Sequence, residues 1–176
     1  MALIRLSNQS LTDVTALPAA ALPEVGFKRV YTGKNTNGVP FSTTPVTLVS
    51  IPNVVVNSGE DVFLAYHISV RAQSAAQVHC SVIPHYSGSA TGYVGDSNWG
   101  IGIHDPSTPD AWTMMNGFVN LSKYRTGGGG PFASTGTFTF DIKSRSTNVA
   151  NLWGSEYGGT QVSYTPLIAS ILIAKA

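Results

Sequence analysis

Residues 62–71 read Val62-Phe63-Leu64-Ala65-Tyr66-His67-Ile68-Ser69-Val70-Arg71. Val62, Leu64, Tyr66, Ile68 and Val70 share one parity, while Phe63, Ala65, His67, Ser69 and Arg71 take the other. Successive side chains of a strand point to opposite faces, so this period of two predicts a β-strand with one face toward a core. The same period recurs where Val78, Cys80 and Val82 alternate with His79, Ser81 and Ile83. It recurs again where Phe138, Phe140 and Ile142 alternate with Thr137, Thr139 and Asp141. Further strands are predicted near 26–32, 45–56, 111–123 and 161–174. Turn formers lie between them: Asn37-Gly38, Asn57-Ser58-Gly59-Glu60, Ser87-Gly88, Asp105-Pro106 and the glycine run 127–130. No stretch of a dozen residues carries apolar side chains at helical spacing. The expected fold is all-β: an antiparallel β-sandwich of about eight strands, jelly-roll-like, forming a head domain over residues 26–176.

Both flanks of this head are unusually apolar. Residues 1–25 form an arm with spaced large side chains, Leu3, Ile4, Leu6, Leu11, Val14, Leu17, Leu22 and Val25. Pro18 and Pro23 forbid a long helix there, so the arm is expected to be extended apart from one short turn after Ser10. Left in water, each large side chain would forgo roughly 1.5–3 kcal/mol of burial. The arm should therefore dock, either on its own domain or on a neighbouring subunit or particle protein. The strand near 161–174 is apolar on both faces: Leu167, Ala169, Ile171 and Ile173 on one, Ile168 and Leu172 around Ser170 on the other. A sandwich strand needs one apolar face, and a second implies a second cover. Ile168, Leu172, Leu167 and Ile171 are the candidate oligomer-interface residues, with a covering loop or the arm as the other way of burying that face.

Composition agrees with a covered surface. The 176 residues are 43% hydrophobic and only 11% charged, against about a quarter charged in a typical domain. The net charge is +1 with no basic run, so neither nucleic acid nor an anionic membrane is an expected partner. Cys80 is the only cysteine, which excludes an intrachain disulfide and leaves no zinc spacing. Ala19-Ala20-Ala21 looks superficially like a signal-peptide cleavage site, but Ser7–Ser10 and Thr12-Asp13 break the apolar stretch such a peptide needs. The longest apolar run, 167–174, is under half a membrane span, and the chain is expected to be soluble where it is made.

The opening residues Met1-Ala2-Leu3-Ile4-Arg5-Leu6-Ser7-Asn8-Gln9-Ser10-Leu11 resemble the start of small bacteriophage virion structural proteins, in which a short MALxxLxNxSL arm precedes an all-β head. The apolar run 167–173 resembles the final strand of such heads more loosely. The resemblance implies a virion surface protein, made in the host cytoplasm, assembling as a homotrimer. It implies anchoring on the major capsid protein or another virion protein through Leu3, Ile4, Leu6, Leu11, Val14 and Leu17. Proteins of this kind serve as tail fibres or as head decoration (cement) proteins. With no heptads or repeat to build a stalk, a seat directly on a shell is the leading expectation, and a short tail fibre or receptor-binding protein comes second.

Catalytic patterns are missing. The glycine run 127–130 is followed by Pro131-Phe132 instead of the Lys-Ser/Thr of a phosphate-binding loop. Ser87-Gly88-Ser89 lacks the strand-to-helix setting of a nucleophile elbow. His79 and Cys80 are adjacent on a strand and point apart, Cys80 and His67 read as structural residues, and His104-Asp105 reads as a turn leading into Pro106. Carboxylates are too scattered to nominate a glycosidase pair. The expectation is no enzyme, no metal and no cofactor. One binding pattern remains. Residues 86–104 hold Tyr86, Tyr93, Trp99 and His104 with Asp96 and Asn98, and a second cluster holds Asn151, Trp153, Glu156 and Tyr157. Aromatic faces beside amides and carboxylates suit sugar rings, so Tyr93, Asp96, Trp99, Trp153 and Tyr157 are candidate contacts for a host glycan; inward packing of the same rings is the alternative.

Overall fold

A computed structural model of the chain describes residues 26–36, 39, 42–72, 79–104, 112–124, 132–147, 152–153 and 167–175. The arm residues Leu3, Ile4, Leu6, Leu11, Val14 and Leu17, and also Tyr157, lie outside the described residues. Among the described residues ten strands are present: β1 (Phe27–Asn35), β2 (Val46–Val56), β3 (Glu60–Ala72), β4 (Cys80–Gly88), β5 (Gly92–Tyr93), β6 (Gly102–His104), β7 (Trp112–Asn120), β8 (Gly136–Ser144), β9 (Leu152–Trp153) and β10 (Leu167–Lys175). No helix occurs among the described residues. One sheet runs β1-β10-β3-β7, with β9 beside the last residues of β3. The other runs β2-β8-β4-β5, with β6 also beside β4. Every named strand pair is antiparallel.

This order is that of a jelly roll. The first long strand pairs with the last, β2 with β8, β3 with β7 and β4 with the short β5 and β6. The nested hairpin then rolls up through the β10–β3 and β4–β8 contacts. The alternation at 62–70 is realised: Val62, Leu64, Tyr66, Ile68 and Val70 are buried. They meet Val49, Ile51, Val54, Phe138, Phe140 and Ile142 of the opposite sheet and Leu167, Ala169, Ile171 and Ile173 of β10 in one core. Tyr66 lies across Gly117, its register partner, filling space that no side chain of residue 117 could share.

Two expectations need correction. Residues 86–104, where no strand is expected, contain β5 and β6, and Tyr86 itself belongs to β4 and packs in the core against Phe132 and Phe138. Strand β4 is also buried on both faces, because Ser81 and Ile83 are as enclosed as Cys80 and Val82. The alternation read at 78–83 marks the two faces of this strand correctly, but its outer face is covered by the segment that joins β5 to β6. Bulges in β2, between Thr47 and Val49 and between Ile51 and Val54, break strict alternation there. The second holds Asn53 at a left-handed φ of 58°.

The pairings give the sandwich two ends. Phe27, Val56, Glu60, Gly88, Asn120, Gly136 and Lys175 stand at one, which is where residue 25 leads in; it is called the arm end here. Asn35, Val46, Ala72, Cys80, Trp112, Ser144 and Leu167 stand at the far end. β2 is an edge strand, and β1 caps its backbone. Asn35 donates to the Leu48 carbonyl, Arg29 donates to the Val55 carbonyl, and the Val55 amide donates to the Tyr31 hydroxyl. The inward face of β1 is thereby polar, the reverse of an ordinary sandwich strand.

At the arm end two carboxylates at the start of β3 are neutralised from different elements. Asp61 pairs with Lys123 at 2.7 Å and accepts from Asn120. Glu60 closes the turn read from Asn57-Ser58-Gly59-Glu60, accepting the Asn57 amide at 2.8 Å, and also binds Arg29. Burial alone would raise the Glu60 carboxyl, but the Asn57 amide and the Arg29 guanidinium outweigh it and hold the group below its ordinary value of 4.5. A depressed folded value means that the charged carboxylate stabilises the fold above pH 4.5, and that this contribution is lost as pH falls through the folded value. Glu60→Gln should lower stability at pH 7 and match the parent protein once Glu60 is protonated. Urea unfolding at both pH values checks this, and an equal deficit at the two would contradict it.

Candidate functional site

The outward face of the β1-β10-β3-β7 sheet is the most unusual surface of the molecule. Register fixes its rows: Val30, Leu172 and Phe63 lie side by side, then Thr32, Ser170, Ala65 and Phe118, then Lys34, Ile168, His67 and Asn116. Phe27 joins the first row's end opposite Ala174, past a bulge at Lys28. The rings of Phe27, Phe63 and Phe118 come from three strands and form a triangle. Phe63 and Phe118 stack at 5.5 Å, and Phe27 meets each of them edge-on at 5.6 and 5.9 Å. Phe27 is 44% exposed, and Val30 and Phe118 are each 57% exposed. A sheet face that gathers five large apolar side chains in one place is the candidate for an interaction surface. The aromatic rings gather at the arm end; farther along, the Thr32–Ser170 hydroxyl pair, Lys34 and Asn116 are interspersed with Ile168 and the exposed Met114.

This geometry sorts the four residues expected at an oligomer interface. Leu172 lies within the aromatic patch, and Ile168 is on the same face among Lys34 and His67. Leu167 and Ile171 face inward and are fully buried by their own chain. They offer no surface to a second copy, since side chains of opposite parity on one strand cannot share a face. The residues missed by sequence reasoning are Phe27, Phe63 and Phe118. Their signal was a large ring at an outward parity, visible for Phe63 in the quoted stretch, but nothing local tells that three such rings converge.

The second sheet presents a different outer face. Asp141, Lys143 and Arg145 share an outward parity along and just beyond β8. His85 lies in register with both Asp141 and Tyr93. Its ring centroid is 4.8 Å from that of Tyr93, and its Nδ1 is 3.7 Å from the Asp141 carboxylate. Burial and the nearby Lys143 ammonium hold the His85 imidazole below its ordinary value of 6.5, with Asp141 pulling the other way. Lys143 Nζ sits 5.8 Å from the Tyr93 ring centre, and the Arg145 guanidinium 4.8 Å from that of Trp99.

The segment carrying Trp99 is tightly built. One Asp96 carboxylate oxygen accepts the amides of Asn98 and Trp99 at 2.7 and 2.9 Å. The Ile101 amide donates to the Val82 carbonyl. Gly100 has φ 61°, and a Cβ there would fall 1.9 Å from the Val82 oxygen, so only glycine lets this segment lie flat on β4. Of the expected sugar contacts, Tyr93 and Trp99 therefore share one sheet face, while Asp96 braces its own turn. Trp153 is on β9 of the other sheet, in register with Arg71, as is Trp112 from the opposite side. All three tryptophans stand at the far end. Among the described residues no group of three or more His, Cys, Asp or Glu side chains could hold a metal ion.

No protein-family model and no curated protein matches the sequence. Among solved structures, similar chains occur in the T13 IBDV viral particle (TM-score 0.40, 10% identity, 84% of this chain and 35% of that one). Others occur in infectious bursal virus derived T=1 particles (0.39, 12%, 84% and 36%) and in the infectious bursal disease virus VP2 subviral particle (0.38, 12%, 84% and 37%). The chain spans about a third of the length of these relatives in shape.

Gly100→Ala should force the Trp99 segment off β4 and lower stability by about 2 kcal/mol, the scale of a left-handed, overcrowded site. Urea unfolding followed by tryptophan emission checks it; an unchanged midpoint and spectrum would contradict the packing described.

Proposed function

We propose that this chain is a non-enzymatic virion structural protein that works as an oligomer of itself, a homotrimer seated on a particle as a head decoration protein. The single observation that carries the reading is the exposed apolar patch of Phe27, Val30, Phe63, Phe118 and Leu172. Phe27, Val30 and Phe118 are left about half exposed, so each forgoes roughly half of the ~1.5–3 kcal/mol of full burial, which a second copy set against the face would recover. The patch adjoins the point where residues 1–25 lead into β1, so the arm expected to anchor on the capsid enters beside the surface expected to join subunits. Several arms per oligomer would then engage the shell together, and avidity would hold the protein in place even if one arm binds weakly.

A second reading, a short tail fibre or receptor-binding protein for host carbohydrate, is favoured by one observation. Trp99, Trp112 and Trp153 stand at the end opposite the arm, the end an anchored protein would turn outward.

Val30→Asp and Phe118→Asp place charges at the two most exposed apolar positions, where folding tolerates them. The parent protein should sediment as a trimer and the double variant as a folded monomer with unchanged far-UV circular dichroism. A monomeric parent at high concentration, or a variant that stays trimeric, overturns the reading. Separately, deleting residues 1–22 should leave the β head folded and unable to join particles. Full occupancy of shells by the truncated protein would remove the anchoring role.

A further inference from the structure

We infer that the outer face of the β2-β8-β4-β5 sheet, toward the far end, binds carbohydrate that carries a carboxylate, with Trp99 and Arg145 at its centre; this rests on the receptor-binding reading and names its ligand class. The face carries two cation–aromatic pairs in a row, Lys143 over Tyr93 and Arg145 over Trp99. The two cations are two residues apart at one parity, so their attachment points are roughly 7 Å apart along the strand direction. Neither forms a salt bridge among the described residues, where Lys28, Arg29 and Lys123 all have carboxylate partners. Two acids lie nearby: Asp141, two residues before Lys143 and 3.7 Å from His85, and Asp96, one oxygen of which accepts the amides of its own turn. The face thus gathers two cations that no salt bridge among the described residues ties to a carboxylate, with the single acid Asp141 beside Lys143 on β8.

Arg145 is also held in place. Arg145 donates from Nη1 to the Asn98 side-chain oxygen at 3.1 Å while its guanidinium lies against Trp99. Trp99 is fixed in turn by Asp96 and by Gly100 on β4. A guanidinium held this way meets a carboxylate without first losing side-chain freedom, and charge-assisted hydrogen bonds are about twice as strong as neutral ones. The partly exposed Tyr93 ring supplies the flat apolar surface against which the C–H face of a pyranose packs. A neutral sugar would use only the rings and the Asn98 amide. A carboxylated one would use the cations as well, and the two should differ by about tenfold or more in affinity.

The test is titration of the full chain with sialyllactose and trigalacturonate, against lactose and the trigalacturonate methyl ester, followed by ligand NMR. The acidic sugars should bind at least about tenfold more tightly than the neutral ones and lose affinity as salt rises. Arg145→Met and Lys143→Met should each reduce that affinity about tenfold, with sedimentation unchanged; Lys143 serves as the second variant because Arg145 also braces the Trp99 turn. Equal binding of acidic and neutral sugars would overturn the carboxylate inference while leaving carbohydrate recognition standing. No binding of any of the four would overturn both. Full affinity in both variants would remove this face as the site. Subunit assembly is read on the same samples by sedimentation, so its failure is distinguishable from any of these.

Discussion

The molecule depends on the insertion of β10 between β1 and β3. β10 is hydrogen-bonded along both edges, to β1 over 167–174 and to β3 over 168–175. Without it β1 has no partner in its sheet, β2 loses the caps that β1 provides, and the core loses four fully buried side chains. The same nine residues carry Leu172 into the exposed patch. One strand therefore closes the sandwich with one parity and carries Leu172 and Ile168 onto the outer face with the other.

The jelly-roll connectivity also gives the molecule a direction. Glu60, Asp61, the phenylalanine triangle and the start of β1 gather at one end; Trp99, Trp112 and Trp153 stand at the other. An anchored protein with this layout presents opposite chemistries inward and outward: greasy rings near its seat, cation-backed aromatic rings away from it. Fold alone assigns no function, since jelly rolls host many activities.

Much of the architecture was legible because it is local. The parity of 62–70, the phenylalanines of 138–142 and the two-faced run at 167–173 each reveal a strand and its buried side from neighbours in sequence alone. The turn at 57–60 was equally plain. What escaped was nonlocal or irregular. The convergence of Phe27, Phe63 and Phe118 follows from the register of three strands, which no single segment encodes. The burial of Ser81 and Ile83 depends on a cover contributed by residues that look like an exposed loop, and the bonds by which Asp96 holds the Asn98 and Trp99 amides appear only once that segment folds back on β4. Leu167 and Ile171 were assigned to both core and interface, and parity allows only the core.

The placement of β10 has a consequence for how the protein comes into being. His67 and Ile168, side by side in the sheet, are about a hundred residues apart along the chain. At ribosomal speeds of roughly 5–20 residues per second, β3 waits several seconds after emerging before its central partner exists. During that interval Leu64, Tyr66 and Ile68 stand on a strand with an unpaired edge, a state prone to joining the nascent chains of neighbouring ribosomes. Expression yield should therefore be governed by how quickly translation reaches residue 175, and slow codons between β7 and β10 would be expected to send the protein into inclusion bodies with its final stability unaltered.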